Sequence, residues 1–102
     1  MLDEHWTDDN DNPAGGVTSG RGFTISWQNG PLGTGTNRRE PNGAFVEDII
    51  KAATKRLAFY QKSKFRCQEN ADALLLLREA LARLENRTLD RTRRGVEGTH
   101  ET

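Results

Sequence analysis

Eleven of the fifteen basic residues in this chain are arginine. A guanidinium presents a planar fork of donors, so the bias points to bidentate recognition of phosphate or carboxylate. Four arginines (Arg87, Arg91, Arg93 and Arg94) lie close together. Arg87 and Arg91 are four apart, share one face of a helix and can hold one anion from two points. The plain alternative is a solvated charge run with surface pairs such as Arg87 with Asp90 or Asp90 with Arg94. Arg38 and Arg39 follow a Gly-rich loop and could bring further cations to an anion.

Two other residues stand out. Asn70 falls on an apolar helical stripe. Leu77, Leu84 and Arg91 follow it at intervals of seven. A buried amide must be hydrogen-bonded or it costs about 1–3 kcal/mol. It either sets register in a helix interface or bonds a ligand. Tyr60 closes an earlier stripe beside Phe59 and ahead of Phe65. Core packing is the default for such aromatics, but aromatics at a helix end near arginine can stack a nucleobase.

No catalytic constellation is present. His5 and His100 lie near the two ends, Cys67 is the lone cysteine, and no spacing suits a metal. No cofactor is expected. Gly30, Gly33 and Gly35 lack both the Gly-Lys-Ser/Thr ending of a P-loop and the dinucleotide fingerprint. Spacing then restricts any ligand site. Asn70 and Arg87 are seventeen residues apart, which on one straight helix is about 25 Å. If both serve one small ligand, they come from different subunits.

The elements that must carry these residues are legible in the apolar pattern. Between Ala44 and Arg94 there is no Gly and no Pro, the residues that most often end helices. Val46, Ile50, Ala53, Leu57 and Tyr60 form one stripe; Cys67, Ala71, Leu74, Leu77, Leu81 and Leu84 form another. One helix of that length would be exceptional. The pattern therefore predicts an antiparallel hairpin of helices over 42–62 and 64–92. Asn42 is the expected cap of the first helix, and Ser63 can cap the second. Glu47 and Asp48 suit the positive end of the first helix dipole.

Upstream, Phe23, Ile25 and Trp27 alternate with polar residues and predict a short half-buried strand over 22–28. Weak candidates for its partner are Gly15 to Ser19 and Leu32 to Asn37; another subunit could also supply it. Strand and Gly-rich loop together occupy 22–41. Residues 1–20 are acidic and then Gly-rich, and read as a mobile tail; 93–102 form a C-terminal tail. The fold class is α+β: short N-terminal strands, then the two-helix hairpin, in one domain over 21–102.

Composition bounds the rest. Hydrophobic residues make up 33% of the 102, low against the usual 45–50% or so. Such a chain buries little core by itself, and association is a common remedy. The formal net charge is zero, yet Met1 to Asn12 holds five acids and no Lys or Arg. There is no apolar h-region and no run long enough for a membrane span. A soluble, cytoplasmic homo-oligomer is the expectation.

Taken together, GFTISWQNGPLG, EPNGAFVEDIIKAATKRLAFYQ, KFRCQENADAL and the later RT..R..RGVEGTH resemble the phage sponge proteins that defeat cyclic-nucleotide immune signalling. The likeness is greatest to the first family of Thoeris anti-defence proteins, which share a helical-hairpin domain with an anti-CBASS sponge. It covers roughly Gly22 to His100. The resemblance implies binding without catalysis. The partner it implies is glycocyclic ADP-ribose made by TIR-domain enzymes, with cyclic di- or trinucleotides at separate sites. It also implies a dimer or hexamer in the infected host cell, and neither DNA, RNA nor membrane as partner. Tyr60 takes the position that stacks on the base, with Phe59 as its alternative. Asn70 matches the ligand-contacting amide, and Arg87 and Arg91 the phosphate-binding pair. Arg38 or Arg39 fills the N-terminal cation position. Arg93, Arg94, Gly98 and Thr99 are candidates for a second nucleotide site. The rival classes are a small nucleic-acid-binding regulator, whose binding would fall steeply with salt, and a coiled-coil protein in which Asn70 only sets register.

Overall fold

The computed structural model describes residues 1–33 and 35–93, with side chains as far as Asp90. Strands β1 (Leu2–Thr7), β2 (Pro13–Gly20) and β3 (Phe23–Trp27) come first, then a short 3-10 turn (Gly35–Asn37). Helices α1 (Val46–Gln61) and α2 (Gln68–Arg93) follow. The class is α+β, as expected. The chain divides into two compact units, Met1–Phe45 and Val46–Asp90.

The first unit is a three-stranded antiparallel sheet in the order β1-β2-β3. Leu2 pairs with Ser19 and Glu4 with Val17; Gly16 pairs with Trp27 and Gly20 with Phe23. Of the candidate partners for the 23–27 strand, the segment around Gly15 to Ser19 is the one that pairs, while Leu32 to Asn37 is loop and 3-10 turn.

Residues 1–20 therefore carry two strands where composition predicts a mobile tail. The acidic run is turn chemistry. The Asp8 carboxylate accepts from the Asn10 and Asn12 backbone N–H groups at 2.9 and 3.0 Å, an Asx-type turn that reverses the chain. Asp11 takes the left-handed conformation there, with φ 61°. The glycines serve close approach rather than disorder. A Cβ at Gly16 would collide with the Glu4 carbonyl oxygen, and one at Gly15 would meet Trp6 and Asn29 at 3.2 and 3.1 Å. At Gly16 only glycine admits the neighbouring strand so near, and at Gly15 a Cβ would press on the ring and the Asn29 side chain.

Across one face of the sheet runs a chain of polar contacts. The Trp27 Nε1–H donates to Thr18 Oγ1 (2.8 Å), the Thr18 hydroxyl donates to Asp3 Oδ1 (2.9 Å), and His5 Nε2 lies 2.8 Å from the same oxygen. These ties link all three strands.

Asn42 does not cap α1, which starts four residues later at Val46. Its side-chain amide instead accepts from the Asn29 N–H (2.8 Å) and donates to the Asn29 carbonyl (3.0 Å). Gln28 N–H donates to Ala44 O and Ala44 N–H to Ser26 O, so β3 gains a short parallel bridge. The intervening loop is thus tied at its base. Leu32 is the buried apolar side chain within it.

In the second unit α1 and α2 are joined by a turn over 62–67. Glu47 and Asp48 occupy the first turn of α1, as the dipole argument requires. Ser63 does not cap α2, which begins at Gln68. It closes the end of α1: its hydroxyl donates to Tyr60 O (2.6 Å) and accepts from Phe65 N–H (3.1 Å). Gln61 spans the turn, accepting from Cys67 N–H and donating to Cys67 O, both at 3.1 Å. Cys67 lies just ahead of α2, exposed rather than on its apolar stripe.

Candidate functional site

The turn between the helices gathers the aromatic residues. Tyr60 and Phe65 meet edge to face, with centroids 6.4 Å apart at 74°. They line an open recess of about 300 Å³. Phe59 leans on Tyr60 at 6.1 Å and is itself exposed. Phe65 keeps 63% of its surface exposed.

Asn70, in the first turn of α2, is half-buried. Its side-chain NH₂ donates to the Phe65 carbonyl at 3.3 Å. The amide therefore pins the residue that forms one wall of the recess. Its own carbonyl oxygen accepts no hydrogen bond from the described residues, and stays available to an outside donor. Tyr60 and Asn70, ten apart in sequence, both engage Phe65, one through its ring and the other through its carbonyl, in the turn that the Gln61–Cys67 clasp spans.

Two residues that spacing did not single out belong to the same place. The Arg56 guanidinium lies over both rings of the α1 end, 5.2 Å from Phe59 and 5.1 Å from Tyr60. Its Nε–H donates to the Tyr60 hydroxyl at 3.3 Å. The signal was present, since Arg56 and Tyr60 are four apart on one helix and must be neighbours. Phe65 is the other. It falls outside both stripes, so periodicity gave it no role. Lys64 Nζ lies 5.7 Å from its ring.

The arginines stand apart. Arg87 is exposed on α2, the helix that also carries Asn70, so the separation of about 25 Å along a straight helix holds. Arg91 and Arg93 lie in the last turn of α2, and Arg94, Gly98 and Thr99 lie outside the described residues. Arg38 and Arg39 are exposed in the first unit, beyond the 3-10 turn. Within one chain the fold joins Tyr60, Phe59 and Asn70, and does not join them to Arg87. Among the described residues no group of three or more His, Cys, Asp or Glu is placed to hold a metal ion.

This hairpin, with aromatics at its turn and arginines toward its far end, has a match among known families. Residues 20–89 match the Acb2/Tad1 hairpin domain over most of the chain. The protein belongs to the Acb2/Tad1 hairpin family. The matched span runs from the end of β2 through Leu89, so it includes Tyr60, Asn70 and Arg87 and excludes β1. A curated relative, Thoeris anti-defense 1 of Bacillus phage SBSphiJ7, is 43% identical over 83 residues, which is 81% of this chain. The chain spans 56% of that relative's length. No helix among the described residues is long and apolar enough to cross a membrane.

Proposed function

We propose that this protein is a phage anti-defence sponge. It binds a cyclic nucleotide messenger of bacterial immunity and holds it away from its receptor without cleaving it. Glycocyclic ADP-ribose of TIR-domain Thoeris signalling is the first candidate, in line with the name of the Bacillus phage relative. Cyclic di- or trinucleotides of CBASS signalling are further candidates, with Arg93, Arg94, Gly98 and Thr99 as their site. The protein acts in the cytoplasm of the infected host, and needs neither nucleic acid, membrane nor cofactor.

The observation that carries this reading is the open recess lined by Tyr60 and Phe65, with the Asn70 amide bonded to the Phe65 carbonyl. An aromatic wall accepts any base by its π-face, each stack being worth about 1–3 kcal/mol. An amide oxygen adds a directed acceptor for a base amino group. Tyr60, or Phe59 beside it, stacks the base. Arg87 and Arg91 of a second subunit clamp the phosphates, because one straight helix sets Arg87 about 25 Å from Asn70. Arg38 or Arg39 contributes a further cation.

The homo-oligomer that this arrangement needs, a dimer or a hexamer built from dimers, has support in burial. Leu32 and Leu74 are the buried apolar side chains of the described residues, while Val46, Leu75, Leu76 and Leu89 each expose half or more of their surface. Covering a leucine stabilises by about 1.5–3 kcal/mol, so several together offset the cost of association.

Capture and turnover are separable. A turnover enzyme needs an acid, base, nucleophile or metal at the scissile bond. The recess is lined by two aromatic rings, and the amide of Asn70 and the guanidinium of Arg56 beside those residues accept no proton at pH 7. Protein incubated with excess messenger, then heat-denatured and filtered, should return all the ligand intact and active on its receptor. Capture before heating should saturate at a fixed ratio to protein. Messenger loss that grows with time past that ratio would mean catalysis.

A further inference from the structure

The recess has cations of its own, independent of the distant Arg87 and Arg91. Arg56 lies over the Tyr60 ring and Lys64 over the Phe65 ring, at 5.1 and 5.7 Å. Each of the two rings that line the recess thus has a cation beside it. Among the described residues neither cation forms an ion pair. Arg56 spends its Nε–H on the Tyr60 hydroxyl, which fixes the side chain and leaves its terminal N–H donors open. A recess with two aromatic walls, each bordered by an unpaired cation, is complementary to an aromatic group that carries negative charge.

We propose that Arg56, seconded by Lys64, binds the phosphate adjoining a base held against Tyr60 and Phe65, so that a single subunit holds a base-and-phosphate unit. The proposal rests on the reading that this recess takes a nucleotide. It adds a second anchoring point for phosphate on the same helix as the stacking residue. It also divides the labour: Arg56 grips the phosphate next to the base, and the arginines at the far end of α2 grip the rest. Pre-fixing the guanidinium on Tyr60 lowers the ordering cost of that grip. Discrimination then follows: a nucleotide is favoured over its nucleoside by the local cation, whichever way the second subunit docks.

The test uses the full chain with adenosine and 5′-AMP as probes, titrated by calorimetry at low and moderate salt. AMP should bind on the order of tenfold more tightly than adenosine, with the preference shrinking as salt rises. Arg56→Gln should remove most of that preference and leave adenosine binding within about twofold, since a charge-assisted bond is lost and the rings remain. Arg56→Lys should restore part of it, and Lys64→Gln should give a smaller loss.

Equal affinities for AMP and adenosine in the unaltered protein, or no binding of either, would overturn the proposal. So would an unchanged preference in Arg56→Gln, including the case where both probes weaken together because Arg56 merely orders the rings. Messenger capture is scored separately. A protein that captures cyclic messenger but shows no AMP preference refutes this inference and leaves the sponge reading standing. AMP preference without capture of any cyclic messenger does the reverse.

Discussion

Asn70 shows how one residue carries two meanings until its partners are known. As a register-setting amide it would face another amide or a carbonyl across a helix interface. In the fold it donates to the Phe65 carbonyl at 3.3 Å, back across the turn that precedes α2. Asn70→Leu should therefore leave helix content by circular dichroism unchanged and cut messenger capture by at least about tenfold, through loss of the acceptor and of the wall's anchor. A variant that is more stable and still captures fully would return Asn70 to the register role. For the arginines, Arg87→Ala or Arg91→Ala should weaken capture roughly 10- to 100-fold each, at about 1.5–3 kcal/mol per charge-assisted bond. Lysine at either position should recover only part, lacking the fork. Full capture by the double alanine variant would place the phosphate clamp elsewhere.

At the scale of elements, the hairpin turn does what the helices cannot. Helical propensity accounts for α1 and α2, but the position of Tyr60 relative to Phe65 depends on how six residues cross between them. Gln61 decides it by pairing its amide with both backbone groups of Cys67. Asn42 closes the other loop in the same way on Asn29. In each case a side-chain amide imitates the donor and acceptor of a paired strand residue. Gln61→Leu should leave both helices formed, lower the melting temperature by a few degrees at about 1 kcal/mol lost, and weaken capture more than that loss of stability explains. Gln61→Glu, which keeps the acceptor for Cys67 N–H but not the donor, should fall between. Unaltered capture by Gln61→Leu would show that the aromatic pair holds itself.

For the whole molecule the governing fact is the scarcity of core among the described residues. Leu32 and Leu74 are buried, at 8% and 7% exposure, against Phe65, Leu75 and Leu76 near 60%. Folding normally offsets chain entropy with apolar burial, and here much of that surface remains uncovered in one chain. Native mass measurement at micromolar concentration should give a dimer or larger. Replacing Leu75 and Leu76 together with Glu should shift it toward monomer and abolish capture that needs two subunits. A monomer that captures messenger tightly would end the shared-site argument.

Some of this was legible in the chain alone. The Gly- and Pro-free span from Ala44 to Arg94 and its stripes at helical spacing announce two helices, because helical periodicity is a local property. The alternation Phe23, Ile25, Trp27 announces a strand for the same reason. Family membership, too, is carried by residues in order along the chain. Tertiary structure decided what depends on partners distant in sequence. It turned an acidic, Gly-rich segment into β1 and β2, since an Asx turn and close-approach glycines look like disorder when their neighbours are unseen. It moved Asn42 and Ser63 from helix caps to loop and turn ties, because a side chain bonds what the fold brings near. It set Phe65 against Tyr60 and Arg56 over both α1 rings. No periodic pattern marks Phe65, for it stands in a turn, where position follows from hydrogen bonds rather than from a repeat.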